Sequence, residues 1–203
     1  MTTNSSDASA AQVRNVFHVT LHHLRRALGS TRWITFDRNL YTFSRTPESG
    51  RTLDLDVDAV LAASAKARAW LRERTVPTPE AFAEARRALA RNRGAIARGF
   101  VKEDWILAHQ DQVQAAWADG MDALAQLAFG AERYDDAASA LEALIRQEPL
   151  RESAHRLYLR TLAARGEPAR ALVHYGELAN LLQRELGARP ARETREIAER
   201  LRG

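Results

Sequence analysis

The sequence predicts a mainly α-helical protein in which a helix and a β-hairpin precede a longer helical domain. Three observations carry this reading. An apolar helical stripe runs directly into an aromatic, turn-broken segment before residue 44. Beyond residue 60 the apolar residues keep helical spacing, punctuated by Pro and Gly. Segments 132–141 and 166–175 repeat one another at an offset of 34 residues.

The helix comes first. MTTNSSDASA is small and polar and predicts a disordered tail over residues 1–10. From Ala11 to Leu28, Phe17, Leu21, Leu24 and Leu28 form one stripe of an amphipathic helix, and Gly29 is placed to stop it. RWITFDRNLYTFS, residues 32–44, is aromatic and β-branched and is broken by Asp37-Arg38-Asn39, the pattern of a hairpin. A helix followed by a hairpin is the order of a recognition helix and its wing.

After a polar stretch around Pro47 and Gly50, LDLDVDAV (53–60) predicts a brief strand running into a helix through aspartates that favour an N-cap. Val60, Leu61, Ser64, Arg68 and Leu71 begin that helix, which stops before Pro77; Thr78-Pro79 supplies the cap and first residue of the next. ARNRGAIARGF (90–100) is a poor helix and predicts a connection. A long helix is expected from about Glu103 to Phe129, carrying Trp105, Val113, Trp117, Leu124 and Leu127.

In the last third, ERYDDAASAL aligns with GEPARALVHY, so that Ala137 falls on Ala171 and Leu141 on Tyr175. The offset is the period of the tetratricopeptide repeat, two helices per unit. The small residue lets one helix of each unit approach the other, and Leu141 or Tyr175 fills the groove a turn later. Met121 and His155 stand where such repeats usually carry tryptophan. With two recognisable units, flanking helices must cap the stack.

Composition excludes much chemistry. There is no cysteine, which removes disulfides, thiolate zinc sites, iron–sulfur clusters and cysteine nucleophiles. A hydrophobic content of 45% with four Trp supports a core without staples. No apolar run approaches the roughly 18 residues of a membrane span, and the start lacks the features of a signal peptide, so a cytoplasmic location is expected. G-x-x-x-x-G-K-[ST], G-x-G-x-x-G, G-x-S-x-G and H-E-x-x-H are missing; neither an enzyme nor a cofactor is expected. His18 and His22 are spaced like metal ligands but have no third partner nearby, and Asp54, Asp56 and Asp58 lack the glycine and distal glutamate of a calcium loop.

Charge is more informative. Between Ala8 and Phe36 there is no acid, while Arg14, Arg25, Arg26 and Arg32 contribute four positive charges, equal to the net charge of +4. An acid-free basic segment is the footprint of a surface that meets a polyanion. Burying the Phe17–Leu28 stripe leaves Arg14, Asn15, His18, His22 and Arg25 on or near the opposite face. Arg can pair bidentately with guanine, Asn with adenine, and His with base edges or phosphate. Acids on such a face would be repelled by phosphate.

The chain resembles the bacterial transcriptional activator domain family, typified by antibiotic-regulatory activators. EPLRESAHRLYLRTLAARGEPARALVHYGELANLLQRELGARPARET (148–194) carries the resemblance most specifically, above all EPLRESAH, ALVHY and RELGARP. HVTLHHLRRALG (18–29) with RWITFDRNLYTF (32–43) is similar to the recognition helix and wing of a response-regulator-type winged helix, and LDLDVDAV and EDWILAHQDQV keep the family's register.

The resemblance implies a partial winged helix over residues 11–50 and a tetratricopeptide-like helical domain over 51–203. It further implies binding to double-stranded promoter DNA and contact with RNA polymerase or another protein. By position, DNA contacts would fall on Arg14, Asn15, Thr20, His22, His23 and Arg25, with Arg38 at the wing tip. The family's winged helix has a small sheet and two further helices before its recognition helix, so a fragment of a longer regulator or a natural short form is expected. A protein-interaction module without DNA binding of its own is the alternative.

Overall fold

The computed structural model describes residues 4–44, 55–92 and 104–203. The chain divides into two compact units, Met1–Asp54 and Leu55–Gly203.

In the first unit, helix α1 spans Asn4–Ala27. It starts well before Ala11, so the expected tail is helical from Asn4 onward. Ala8, Ala10 and Ala11 are strong helix formers and extend the helix back through a stretch whose polar composition suggested disorder. Gly29, at φ 75°, ends the helix, and its amide donates to the Arg26 carbonyl at 3.1 Å. A 3-10 turn, Thr31–Trp33, follows, with the Ser30 hydroxyl accepting from the Arg32 amide at 3.2 Å. Strands β1 (Ile34–Asp37) and β2 (Leu40–Phe43) pair antiparallel, with Ile34 opposite Phe43 and Asp37 opposite Leu40. The connecting residues Arg38 and Asn39 both have positive φ, 49° and 63°. That is a two-residue type I′ turn, whose twist matches the strands it joins.

The second unit holds seven helices among the described residues: α2 (Asp56–Glu73), α3 (Pro79–Leu89), α4 (Asp104–Gly130), α5 (Tyr134–Gln147), α6 (Glu152–Ala164), α7 (Pro168–Leu186) and α8 (Arg192–Arg202). The strand expected at LDLDVDAV is not formed where it is described. Leu55 is extended, but the chain is helical from Asp56; Leu53 and Asp54 lie outside the described residues. Asp56 and Asp58 occupy the first turn, where negative charge is favoured, and Asp56 is held by Arg91 at 2.7 Å. For α3 the Thr78 hydroxyl accepts from the Ala81 amide at 3.2 Å and Pro79 takes the first position, as its sequence predicts. Most of the expected connection, residues 93–100, and the Trp105 side chain lie outside the described residues.

One continuous core joins α2 to α8 and includes Val60, Phe82, Leu89, Leu124, Leu141, Leu144, Leu159 and Leu162, all nearly or fully buried. α2 approaches α4 closely because the facing residues are small. The buried Ser64 hydroxyl donates to the Ala116 carbonyl at 2.5 Å, and a Cβ added to Gly120 would stand 3.0 Å from Ser64 Cα and 3.1 Å from Leu89 Cδ2. Gly120→Ala gains up to about 1 kcal/mol of helix propensity but forces the α2 backbone outward, which costs about 1–3 kcal/mol. The clash wins, and a lower midpoint in urea unfolding is the expected result.

The 34-residue offset is visible in the turns. Glu132 and Gly166, both left-handed, end α4 and α6. The next residue's amide reaches back to the helix in each case, Arg133 to the Ala128 carbonyl at 2.8 Å and Glu167 to the Leu162 carbonyl at 2.9 Å. Ala137 and Ala171, at equivalent positions of α5 and α7, are both fully buried. α8 closes the end of the stack against α6 and α7 with Thr194, Ile197 and Ala198 buried.

Candidate nucleic-acid interface

In the first unit a small core fastens helix to hairpin. Leu21, Trp33 and Ile34 are buried together, with Leu28 against them. The Trp33 indole N–H donates to the Leu28 carbonyl at 3.1 Å, and the Arg25 Nε donates to the Ile34 carbonyl at 3.1 Å. Aromatic contacts extend the joint: Phe17 meets Tyr41 edge-on at 4.9 Å, Tyr41 lies 4.6 Å from Phe36, and Trp33 stacks on Phe43 at 6.0 Å. Phe17 is half-exposed, while Leu21 is buried, alone among the described α1 side chains.

With this edge fixed, the helical repeat sets where the polar residues point. Arg14, Asn15, His18, His22, Arg25 and Arg26 share an arc of roughly 120°. All are exposed except Arg25, which is partly buried. Thr20 lies about 160° around the helix from His22, toward exposed Val16 and Leu24. His23 lies between those two flanks. The fold therefore brings Arg14, Asn15, His22 and Arg25 to one face and leaves Thr20 and His23 off it. Arg38, at the hairpin tip, is almost wholly exposed, with Asp37 3.8 Å away.

At the C-terminal end of this arc a concave notch of about 430 Å³ is lined by His18, Leu21, His22, Arg25, Arg26, Gly29, Ser30 and Thr31. Two arginines, two histidines and no acid line it, so anionic ligands are favoured there. Arg26 was not among the expected contacts, although its spacing from His18 and His22 puts it on their face. Arg25 has a structural duty that the sequence does not reveal: its guanidinium holds the hairpin's first carbonyl.

Among the described residues no group of three or more His, Asp or Glu is arranged to hold a metal ion. No described helix is long and apolar enough to cross a membrane.

Known proteins give the context. The fold is similar to that of Mycobacterium tuberculosis EmbR in complex with a low-affinity phosphopeptide, with a TM-score of 0.64 and 20% identity. That likeness covers 93% of this chain and 49% of the other, so the chain spans about half of the structure it matches. No curated protein matches the sequence significantly. The model of the bacterial transcriptional activator domain matches residues 55–202, the whole helical unit but its last residue. Most of the sequence is thereby accounted for, and the chain belongs to the bacterial transcriptional activator domain family, a family of transcriptional regulators.

Proposed function

We propose that this regulator binds double-stranded DNA through α1 and the hairpin, acting as recognition helix and wing of a partial winged helix. The helical unit, built of tetratricopeptide-like pairs, then contacts RNA polymerase or another protein. One observation carries the DNA reading: from Ala8 to the end of the helix, and through the notch, the cationic arc contains no acid. In this arrangement Arg14, Asn15, His22 and Arg25 face base edges or phosphates, and Arg26 adds a phosphate contact at the notch. Arg38 reaches the backbone from the hairpin tip. Thr20 and His23 serve only at the flanks of the groove. Such a protein works in the cytoplasm, where its DNA is.

A fluorescence-anisotropy titration with random duplex DNA at two salt concentrations tests this. Four cations on phosphates, Arg14, Arg25, Arg26 and Arg38, give a slope of about −3.6 in log K against log salt. Raising salt fourfold then weakens binding roughly a hundredfold. Binding that is absent at low salt, or indifferent to salt, rejects the proposal.

A second reading has its own observation. Val13, Val16, Leu24, Phe36 and Leu40 are exposed on the same unit, a concentration of apolar side chains suited to a protein partner. In that reading the helix and hairpin dock a protein, and the DNA titration is flat.

A further inference from the structure

Two histidines in the helical unit take no part in the nucleic-acid interface. His155 on α6 is 3% exposed, and His174 on α7 faces it with its ring stacked at 5.0 Å. His155 Nδ1 lies 2.9 Å from His174 Nε2, and His155 Nε2 lies 2.9 Å from the Pro149 carbonyl. These contacts fix the protons. A carbonyl only accepts, so His155 Nε2 carries hydrogen and, in the neutral ring, Nδ1 is bare. His174 must then donate from Nε2, which leaves its own Nδ1 bare, 3.7 Å from a Glu177 carboxylate oxygen.

The two places for an added proton are therefore unequal. At His174 Nδ1 it preserves both hydrogen bonds and turns the Glu177 contact into an ion pair. A further proton at His155 Nδ1 sets two N–H donors head to head across 2.9 Å and places two positive rings in a stack. We propose that the pair is a proton-operated latch between α6 and α7, closed while it holds at most one added proton and opened by the second.

The surroundings favour this two-step behaviour. From α5, Glu142 accepts from the Tyr158 hydroxyl at 2.7 Å, and that tyrosine meets His174 edge-on at 4.8 Å. On α6, Glu152 attracts charge toward His155 but is itself engaged by α8, whose buried residues are Thr194, Ile197 and Ala198. On α7, Glu177 is the acid next to His174, while Arg170 is held by Glu167. Asp119 and Asp122 of α4 face Arg151 rather than the rings. Burial holds both histidines below the ordinary value of 6.5.

The sign follows. Well above pH 6.5 both rings are neutral in folded and unfolded chains, and the contribution is complete. As pH falls below it, the unfolded chain takes up protons before the folded one, and stability is lost until the folded values are passed.

The test compares the full chain with a His155→Gln, His174→Gln double variant by circular-dichroism melting from pH 7.5 to 5.0. The wild type is expected to lose several degrees more in Tm over that range than the variant. Equal losses overturn the latch. Nitrogen-15 spectra of the wild-type histidines decide independently, even if the double variant does not fold. The expected result at pH 7.5 is hydrogen on Nε2 of both rings, with His174 protonating before His155 on acidification. Simultaneous titration of both rings at the ordinary histidine value overturns it.

Discussion

Replacing Arg14 and Arg26 together with alanine is expected to weaken duplex-DNA binding alike across sequences and to reduce the salt slope by about 2. Both residues are exposed. Helicity should therefore be unchanged, and the loss appears only in the anisotropy titration at low salt. Arg25→Ala is the less clean probe. It removes the guanidinium that binds the Ile34 carbonyl at 3.1 Å, so it loosens the hairpin as well as the DNA face. If the double variant binds as tightly as the wild type, with the same salt slope, the arc is not the DNA surface.

The second large effect is in the core of the helical unit. Leu159 on α6 is fully buried, and α6 packs against α5, α7 and α8. Leu159→Ala should cost about 2–5 kcal/mol, because truncating a fully buried leucine leaves a cavity in the core. A domain is stable by only about 5–15 kcal/mol, so this one truncation brings it close to unfolding at room temperature. Urea unfolding followed by far-ultraviolet circular dichroism checks it. Leu24→Ala, at a half-exposed position of α1, should cost far less in the same measurement. Equal effects at the two positions would mean that the core is misplaced.

What could be read from the sequence depended on how local its cause was. Thr78-Pro79 and Asp37-Arg38-Asn39 encode their structures within a few residues, and a cap and a tight turn form there. The 34-residue offset is a property of the chain alone and returns as matching left-handed turns at Glu132 and Gly166. LDLDVDAV misled because its alternation is strand-like, while Val57 and Val60 pack at helical spacing in the core of the second unit. Packing overrides a short period-two pattern.

The candidate site was legible in residue type and only partly in geometry. Arg14, Asn15, His22 and Arg25 follow from the helical period once the buried edge is known. Thr20 and His23 are separated from them by that same period. The bond from Arg25 to the hairpin, and the meeting of His155 with His174, arise between elements. His155 stood out only as the residue in a tryptophan's place. Nothing in its sequence neighbourhood indicates which ring it would face.

α8 begins at Arg192 without a local side-chain cap at Ala191. Its cap comes from another helix: one oxygen of Glu152 accepts from the Ala191 amide at 2.6 Å and from the Thr194 hydroxyl at 2.5 Å. A carboxylate on α6 thus performs for α8 what a capping box does within one helix. The last helix cannot fray from its first turn independently, because releasing that turn strands a buried threonine hydroxyl and a charged oxygen elsewhere. Amide protons at the start of α8 are therefore shielded from solvent exchange by the integrity of α6, and the chain's end opens as part of a cooperative block with it.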